Sequence, residues 1–268
     1  MTAPILVTGG TGTLGRHVVA GLRATGAPVR VLSRQHHEPT AGVEYAVGQL
    51  DTGEGVAAAL SRVDAVVHCA GSRTGDGERA ATLIRSAARA GVRHVVNVSV
   101  VGADRVPVTS RADRAMFGYV ANKRAAEEVF ARSDVPWTTL RATQFHDLVL
   151  MTVRAAAKLP VLPVFAGFRF QPVDARDVAD RLVELALGEP AGLAADIGGP
   201  EILPMADLAR GYLRAAGKHR LVLPVPVPGG AARAYRAGAN LAPDRAVGAR
   251  TWEAFLAERF PTAAVTVD

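Results

Sequence analysis

Cysteine is almost absent from this 268-residue chain, and its histidines do not cluster. Cys69 is the single cysteine, so no internal disulfide can form. The seven histidines are dispersed, with His36 and His37 as the only adjacent pair, and neither C-x-x-C nor H-x-x-x-H occurs. Such spacings are the usual sign of a metal site in a protein sequence. We therefore predict that the chain has no metal site.

Lysine is also scarce, because only three of the 31 basic residues are lysines. The formal net charge is +6 and the pI is about 10.1, yet the positive charges form no basic run. A nucleic-acid-binding surface needs clustered positive charge. The excess of arginine is therefore interpreted as a composition bias, and we predict no nucleic-acid partner.

Long apolar runs are missing as well, since no segment is long enough to cross a bilayer. A strand pattern begins almost at Met1, which leaves no room for a signal peptide. We expect a cytoplasmic protein with no membrane partner, present as a monomer or a homodimer. The chain length fits one large α/β domain, alone or with a small appendage.

What the sequence does have is a glycine-rich stretch at Pro4–Gly15, PILVTGGTGTLG. The apolar run Ile5–Val7 has strand character, and an apolar helical pattern begins near Leu14. The glycines between them fit both G-x-G-x-x-G and G-x-x-G-x-x-G. A strand, a glycine turn and a helix in this order are typical of a dinucleotide-binding loop.

Each glycine of such a loop has a physical role. One makes the tight turn, one lets the backbone approach a pyrophosphate, and one lets the helix pack close to the strand. The amino terminus of the helix then offers free N–H groups and a partial positive charge to the phosphates. The alternative, a plain tight turn between strand and helix, does not need three phased glycines.

The residues after the second predicted strand, Pro28–Ser33, indicate which cofactor is preferred. An acidic residue there would bind the ribose hydroxyls of NAD, whereas an arginine suits a 2′-phosphate. The chain has Ser33 and Arg34 at this point and no carboxylate before Glu38. Arg16, just after the glycine loop, could add a second positive charge. We therefore predict NADP(H), the alternative being that Arg34 is only solvated.

Strand and helix patterns alternate from residue 4 to residue 99, with further strands at 43–47, 64–69 and 93–99. This alternation predicts an α/β fold with a doubly wound parallel sheet. Ligands of such sheets bind beyond the carboxyl ends of the strands. The segments expected at that edge are Gly9–Gly15, Ser33 and Arg34, Gln49 and Leu50, Cys69–Ser72, and Ser99.

A second candidate site lies on the helix predicted over 115–132, which carries Tyr119 and Lys123. Residues four apart share one face of a helix. A lysine beside a phenol stabilises its ionised form, so Tyr119 could act as general acid or base toward a carbonyl or an alcohol. Lys123 is one of few lysines in an arginine-rich chain, which favours a specific role.

These segments together resemble a short-chain dehydrogenase/reductase: TGGTGTLG, the Ser-Arg pair, and the sequence Y-V-A-N-K. The segments PWTTLRATQFHD (136–147) and FQPVDARDVADRLVELA (170–186) resemble, more specifically, the atypical, NmrA-like NAD(P)H-binding members. The resemblance implies a Rossmann fold with a small C-terminal α/β substrate region, and NADP(H) as ligand. It also implies that Tyr119 and Lys123 are the catalytic pair and that the turn Ala142–Phe145 lies beside the nicotinamide.

One position departs from the family pattern. Family members often carry a run of serines or threonines after the fifth strand, ending in a hydroxyl that holds the substrate oxygen. Here Val101 stands at the position aligned with that hydroxyl, and Ser99 begins the run. Ser99 would then contact only the cofactor, or Thr109 or Ser110 would supply the hydroxyl from the following loop.

The second half of the chain is expected to supply the substrate walls. We divide the chain into a cofactor-binding core at 1–152 and a mainly substrate-binding region at 153–268, parts of which return to the core. His146 could serve as an acid near neutral pH. Alternatively, Asp147 supports a helix amino terminus and His146 packs beside it. Phe165 and Phe168 are further wall candidates, though an aromatic residue in such a region is more often part of the core.

The sequence thus predicts an NADP(H)-dependent oxidoreductase that transfers hydride to or from a small apolar carbonyl, quinone or activated alkene. The alternatives are a non-catalytic NADP(H) sensor and, less favoured, an epimerase or isomerase with bound cofactor. The expected catalytic residues are Tyr119 and Lys123, and the expected substrate contacts are Val101, His146, Phe165 and Phe168. The expected cofactor contacts are Thr8, Gly9, Gly10, Thr11, Gly12, Thr13, Leu14, Gly15, Arg16, Ser33, Arg34, Gln49, Leu50, Cys69, Ala70, Gly71, Ser99, Lys123, Ala142, Thr143, Gln144 and Phe145.

Overall fold

A computed structural model describes residues 3–72 and 74–261. The described strands are β1 (Ile5–Thr8), β2 (Val29–Ser33), β3 (Val43–Val47), β4 (Ala65–His68), β5 (His94–Val100), β6 (Trp137–Ala142), β7 (Val161–Phe165), β8 (Arg169–Phe170), β9 (Gly192–Leu193), β10 (Leu203–Pro204) and β11 (Leu221–Val225). The described helices are α1 (Gly15–Ala24), α2 (Val56–Ala59), α3 (Asp76–Ala90), α4 (Arg111–Ala131), α5 (His146–Ala156), α6 (Ala175–Leu187), α7 (Met205–Ala215), α8 (Gly230–Arg236) and α9 (Trp252–Arg259).

The main sheet has seven parallel strands in the order β3-β2-β1-β4-β5-β6-β9. Val7 at its centre pairs with Val31 of β2 on one side and Val67 of β4 on the other. All three valines are almost fully buried, as expected for a parallel sheet with both faces covered. The predicted doubly wound parallel sheet is confirmed.

Each face of the main sheet packs against its own set of helices. On one face α1 and α6 contribute buried apolar side chains such as Leu22 and Leu182. On the other face α2, α3 and α4 contribute side chains such as Leu83 and Phe130. The alternate residues of β1 serve the two cores, with Val7 in the first and Leu6 in the second. The helices therefore hold the carboxyl ends of the strands in a fixed order along one edge.

A third apolar core lies outside the main sheet and is formed by α5, α7, α8 and α9 with two small sheets. β7 pairs with β11 in parallel, and β8 pairs with β10 in antiparallel fashion. Pro163 lies within β7 and Pro224 lies within β11. Proline is tolerated in edge strands, where an N–H group can face away from the partner strand.

The start of one predicted helix shifts. The helix expected from residue 115 begins at Arg111, because Ser110 and Asp113 form a capping box that the sequence analysis did not recognise. The segment 165–173 contains the end of β7 and the short strand β8. The short strand β9 is followed by a single bridge between Ile197 and Ala142.

Candidate functional site

The carboxyl ends of β1, β2, β3 and β4 border one groove of about 820 Å³. This is the edge at which the sequence predicts the cofactor. The groove is lined by Thr8, Gly9, Thr11, Gly12, Leu32, Ser33, Arg34, Gln35, His37, Gly48, Gln49, Leu50, Asp51, Cys69, Ala70, Gly71, Ser72 and Arg79. Eleven of these residues are among the expected cofactor contacts, and they come from four separate segments of the chain.

The glycine loop leaves no room for a side chain at its two ends. Gly9 has φ +69°, and a β-carbon there would lie 2.7 Å from the backbone nitrogen of Ala70. A β-carbon on Gly15 would overlap the carbonyl oxygen of Gly9 and lie 2.7 Å from the α-carbon of Gly10. Glycine is therefore required for the turn and for the close approach of α1 to the loop.

The amino terminus of α1 is left without a side-chain cap. Its N-cap residue, Leu14, offers no hydrogen-bonding side chain, and the first turn contains no acidic residue. Gly12 donates its backbone N–H to the carbonyl of Gly9 at 3.0 Å, which closes the turn just before the helix. Uncapped N–H groups at a helix amino terminus are suited to an anion such as a pyrophosphate.

Not every residue of the expected set faces the groove. Gly10 is directed at the core, since a β-carbon there would lie 2.8 Å from the side chain of Val31. Arg16 lies on the first turn of α1, with Nε 3.4 Å from the Nε2 of His17. Arg16 is not among the residues that line the groove, and neither are Thr13, Leu14 and Gly15.

The end of the groove after β2 contains a residue that the sequence analysis missed. His37 lines the groove together with Ser33 and Arg34, and its Nε2 lies 2.9 Å from the Oγ of Ser33. Its ring packs against that of Tyr45 on β3, with centroids 4.9 Å apart. The only signal in the sequence was the His-His pair shortly after Ser33. This end of the groove thus presents a guanidinium, an imidazole and a hydroxyl side by side.

The opposite wall of the groove is fixed by an arginine on α3 that was also missed. Arg79 donates from Nε to Asp51 Oδ1 at 2.7 Å and from Nη1 to the carbonyl oxygen of Thr74 at 2.8 Å. It also contacts Ser72. These bonds connect the segment after β3 to the segment after β4 at the groove. The position of Arg79 depends on its contact with Asp51, 28 residues earlier in the chain, so no local pattern indicated it.

Two groups at the carboxyl end of β4, at the floor of the groove, are uncharged at neutral pH. Burial, followed by the positive charge of Lys123, lowers the pKa of His68 to about 3, so this imidazole is neutral at neutral pH. Its Nδ1 lies 2.7 Å from the Oγ1 of Thr8. Burial raises the pKa of Cys69 to about 12, so its thiol does not ionise near neutral pH. The floor is therefore suited to a flat, neutral ring and does not provide a reactive thiolate.

The predicted pair on α4 lies next to this groove. Lys123 is buried and reaches past Gly71, where a β-carbon would lie 2.9 Å from its Nζ. The ammonium donates to the carbonyl oxygen of Val98 at 3.3 Å and lies 3.4 Å from Oδ2 of the buried Asp76. Asp76 was missed by the sequence analysis. Its carboxylate compensates the charge of Lys123, which would otherwise be costly to bury.

Tyr119 lies one helical turn before Lys123 and keeps 36% of its surface exposed. The Nζ of Lys123 is 5.7 Å from the centroid of the Tyr119 ring, so the two side chains lie on the same face of α4 as expected. Burial raises the pKa of the neighbouring Tyr235 to about 12, with a smaller contribution from Tyr119. Tyr119 is therefore the more accessible of the two phenols.

Among the described residues, neither Val101 nor Ser110 supplies the missing hydroxyl. Val101 is buried, and its backbone N–H donates to the carbonyl of Ala142 at 2.9 Å. Ser99 Oγ is also buried and has no hydrogen-bond partner among the described residues. The suggestion that Ser110 swings in from a loop was wrong, because its hydroxyl caps α4 nine residues before Tyr119, roughly 13 Å along the helix axis.

The turn after β6 is tied to the second half of the chain. Thr143 is buried and donates its hydroxyl to the carbonyl of Gln171 at 2.5 Å. Gln144 donates to the carbonyl of Asn240 at 3.0 Å and accepts from the N–H of Gln171 at 3.1 Å. Ala142, Thr143, Gln144 and Phe145 do not line the 820 Å³ groove. Their expected place beside the nicotinamide stays a prediction.

His146 is not positioned to act as an acid near neutral pH. It is fully buried at the start of α5, and its ring stacks on Phe255 at 4.8 Å and lies 5.8 Å from Trp252. Burial lowers its pKa to about 4, an effect that Asp174, 4.0 Å from its Nδ1, only partly offsets. The expectation of a pocket acid was wrong, and the alternative of a packed histidine describes its place. The neighbouring Asp147 lies in the first turn of α5.

The low pKa of His146 predicts a specific loss of stability in acid. The unfolded chain binds a proton at the ordinary pKa of 6.5, whereas the folded chain resists it until about pH 4. Stability from the neutral ring is therefore complete above pH 6.5 and is lost as the pH falls toward 4, by about 3 kcal/mol. Between pH 7 and pH 4.5, the free energy of unfolding should therefore fall less in the variant H146L than in the wild-type protein, and the difference should be most of this amount. Urea unfolding at the two pH values measures it.

The exposed His36 provides the matched control for this acid effect, because H36Q should retain the full pH dependence. His68, whose folded pKa is about 3, also loses stability as the pH falls below 6.5 and continues to do so down to about pH 3, so a comparable dependence persists in H146L. An equal loss of stability in the wild-type protein and in H146L would show that His146 is not its source.

The aromatic residues expected as substrate walls are divided between core and surface. Phe168 is 2% exposed and stacks between Phe117 and Tyr235, at 6.2 Å and 5.3 Å, so it belongs to the core and the expectation of a wall was wrong. Phe165 is half-buried and lies 5.2 Å from Phe168. Tyr212 is fully buried in the third core.

Residues 3–72 and 74–261 contain no cluster of three or more His, Cys, Asp or Glu side chains that could hold a metal ion. Within the same ranges, no helix has both the length and the apolar character that crossing a membrane requires.

Known proteins are similar to this chain in sequence. The sequence model of a family described as NAD(P)H-binding matches residues 9–188. The chain is 32% identical to the (4-alkanoyl-5-oxo-2,5-dihydrofuran-3-yl)methyl phosphate reductase of Streptomyces griseus subsp. griseus over 222 residues, covering 80% of this chain and 74% of that protein. It is 31% identical to the NAD(P)H azoreductase of Xenophilus azovorans, with the same coverage.

The fold is also shared with a solved structure, the NADPH-dependent quinone oxidoreductase of Escherichia coli in complex with NADPH. The TM-score is 0.78 at 19% sequence identity, and the match covers 96% of this chain and 99% of that one. The match of the family model extends over more than half of the chain and includes both the glycine loop and α4. This chain therefore belongs to the NAD(P)H-binding family, as its resemblance to the NmrA-like short-chain dehydrogenases/reductases predicts.

Proposed function

We propose that this protein is an NADPH-dependent oxidoreductase that transfers hydride to a small apolar carbonyl, quinone or activated alkene. The observation that carries the proposal is the groove at the carboxyl ends of β1 to β4, with Tyr119 and Lys123 beside it. NADPH would supply the hydride, and the residues of the chain supply binding, orientation and the proton.

The two ends of the groove fit the two charged parts of the cofactor. The glycine loop and the uncapped amino terminus of α1 provide N–H groups for a pyrophosphate. Ser33, Arg34 and His37 provide a hydroxyl, a guanidinium and an imidazole for a 2′-phosphate. The groove residues after β2 include no carboxylate that would repel this phosphate. This favours NADPH over NADH.

Tyr119 and Lys123 on α4 would transfer the proton to the substrate. Lys123 is held by Asp76 and the carbonyl of Val98, so its ammonium is fixed close to the groove at Gly71. From this position it would hold the ribose next to the nicotinamide and stabilise the ionised form of Tyr119. The exposed Tyr119 would donate the proton to the substrate oxygen.

The relatives named above support a reductase. Two of them are named as a reductase and an azoreductase, and the solved structure is that of a quinone oxidoreductase. The alternative of a non-catalytic sensor has its support in Val101, which stands where family members often carry a hydroxyl. The cytoplasmic location, the oligomeric state and the division of the chain near residue 152 stay predictions from the sequence.

The first experiment is a titration of the purified protein with NADPH and with NADH, followed by oxidation of NADPH against a panel of quinones, aldehydes and enones. Preferential binding of NADPH and turnover of at least one panel member would support the proposal. Tight binding of NADPH without turnover on any member of the panel would favour the sensor and contradict the reductase.

Arg34 is expected to set the preference for NADPH. The variant R34Q removes the guanidinium, and a lost charge-assisted hydrogen bond of about 1.5 to 3 kcal/mol corresponds to roughly 10- to 100-fold weaker NADPH binding. NADH binding should not change, because NADH has no 2′-phosphate. Fluorescence titration with both nucleotides measures the two affinities.

A matched control for R34Q is R132Q, because the side chain of Arg132 is 79% exposed at the end of α4. R132Q should bind both nucleotides as the wild-type protein does. Equal weakening of NADPH and NADH in R34Q would contradict the assignment of Arg34 to the 2′-phosphate.

A further inference from the structure

The two-stranded sheet of β7 and β11 exposes one continuous apolar face. In the parallel register Leu221 pairs with Val161, Leu223 with Pro163 and Val225 with Phe165, so these side chains lie on the same side of the sheet. Leu221 is 67% exposed, Leu223 48%, Val225 38% and Val161 36%. The opposite side carries the buried Leu162 and Val164, which pack into the third core.

The two chain segments that contain β7 and β11 include basic residues and no acidic ones. Residues 148–173 and 208–243 contain no Asp or Glu. They contain nine basic residues that are all exposed: Arg154, Lys158, Arg169, Arg210, Arg214, Lys218, Arg220, Arg233 and Arg236. Since the whole chain has a net charge of only +6, the rest of the molecule is net negative. The positive charge is thus concentrated in the half that holds the apolar face.

A basic pocket lies at the amino end of the apolar face. It has a volume of about 810 Å³, and Leu221 is part of its wall. Arg210, Arg214, Lys218, His219 and Arg220 line it, and no acidic residue does so in the described part of the chain. Arg210 is paired with Asp207 at 2.7 Å. A cationic pocket that continues into an apolar strip matches a phosphate group that continues into hydrocarbon.

We propose that the apolar face of β7 and β11, with the basic pocket at its end, docks the protein onto the surface of an anionic phospholipid bilayer. Apolar side chains would enter the acyl boundary, while the surrounding lysines and arginines contact lipid phosphates. A second copy of the chain fits this surface less well, because a two-fold contact would bring the two positive surfaces together. No membrane partner was expected from the sequence, since that prediction considered only runs long enough to span a bilayer.

The test is co-sedimentation of the full chain with phosphatidylcholine vesicles, with and without about one third phosphatidylglycerol. The protein should bind the vesicles that contain phosphatidylglycerol, and binding should fall steeply at about 0.5 M salt. The double variant K218E/R220E should weaken binding by about 30-fold or more. The double variant L221Q/L223Q should weaken it by about 10-fold.

Control variants carry single changes of the same kind elsewhere on the surface. R132E reverses an exposed charge just after α4, and L187Q replaces a leucine that is 53% exposed at the end of α6. Both should bind vesicles as the wild-type protein does, and all variants should keep the thermal unfolding midpoint of the wild type. A change of vesicle binding in the controls equal to that in the double variants would overturn the proposal.

Other results would also overturn it. One is the absence of binding to anionic vesicles, and another is binding that neither double variant weakens. A third is binding of inorganic phosphate without any binding of vesicles. A fourth is a dimer in solution that L221Q/L223Q dissociates while vesicles do not bind, which would assign the face to a second copy.

Discussion

Replacement of Tyr119 by phenylalanine should lower kcat with the best panel substrate by about 10²- to 10⁴-fold, the usual contribution of a positioned general acid. The variant Y119F removes only the phenol hydroxyl. The ring remains, with the ammonium of Lys123 5.7 Å from its centroid, so the helix face and the groove should keep their shape. NADPH binding should therefore be unchanged, and steady-state kinetics together with NADPH titration separate the two effects.

The matched control for Y119F is Y212F, because Tyr212 is fully buried in the third core and does not line the groove. It should retain wild-type kcat. Retention of activity in Y119F would mean that another group donates the proton, and Tyr119 would lose its catalytic role. A loss of NADPH binding in Y119F would instead place its hydroxyl on the cofactor.

The parts of the fold and site that were predictable are those that depend on residues close together in the sequence. The glycine loop is a local pattern in which strand, turn and helix follow one another, and its residues line the groove as expected. Tyr119 and Lys123 lie on one helix face because helical geometry alone fixes residues four apart. The doubly wound sheet follows from the alternation of strand and helix patterns.

The parts that were missed depend on contacts between distant segments. Asp76 matters only because α3 brings it to Lys123, and Arg79 only because the same helix places it opposite Asp51. His146 was expected at a pocket because its neighbours in sequence lie near a strand end. Its surroundings are set by Phe255, more than a hundred residues later. Burial of this kind cannot be derived from spacing along the chain.

The largest structural effect is expected from a single methyl group at Gly15. In G15A the new β-carbon would overlap the carbonyl oxygen of Gly9 and come within 2.7 Å of the Gly10 α-carbon. Both neighbours are backbone atoms, so α1 must move away from the loop. We expect the free energy of unfolding to fall by about 2 to 3 kcal/mol. NADPH binding should weaken by more than about 100-fold, since the N–H groups of α1 leave the pyrophosphate.

Gly12 separates the two consequences of a methyl group in this loop. A β-carbon on Gly12 would meet only the carbonyl oxygen of Gly9, at 3.2 Å, yet Gly12 lines the groove. G12A should therefore bind NADPH poorly with little loss of stability. The control is G118A, because a β-carbon on Gly118 in α4 meets nothing within 4 Å. It should raise stability by up to about 1 kcal/mol through helix propensity and leave binding unchanged.

Urea unfolding and NADPH fluorescence titration of the three glycine variants decide between two roles for the loop. If the loop forms the pyrophosphate cradle, binding falls in both G12A and G15A, but stability falls only in G15A. If G12A binds NADPH as the wild-type protein does, the space above Gly12 is not occupied by the cofactor. The glycines would then serve only to let α1 pack against β1. The loop would be the plain tight turn between strand and helix that the sequence analysis gives as the alternative.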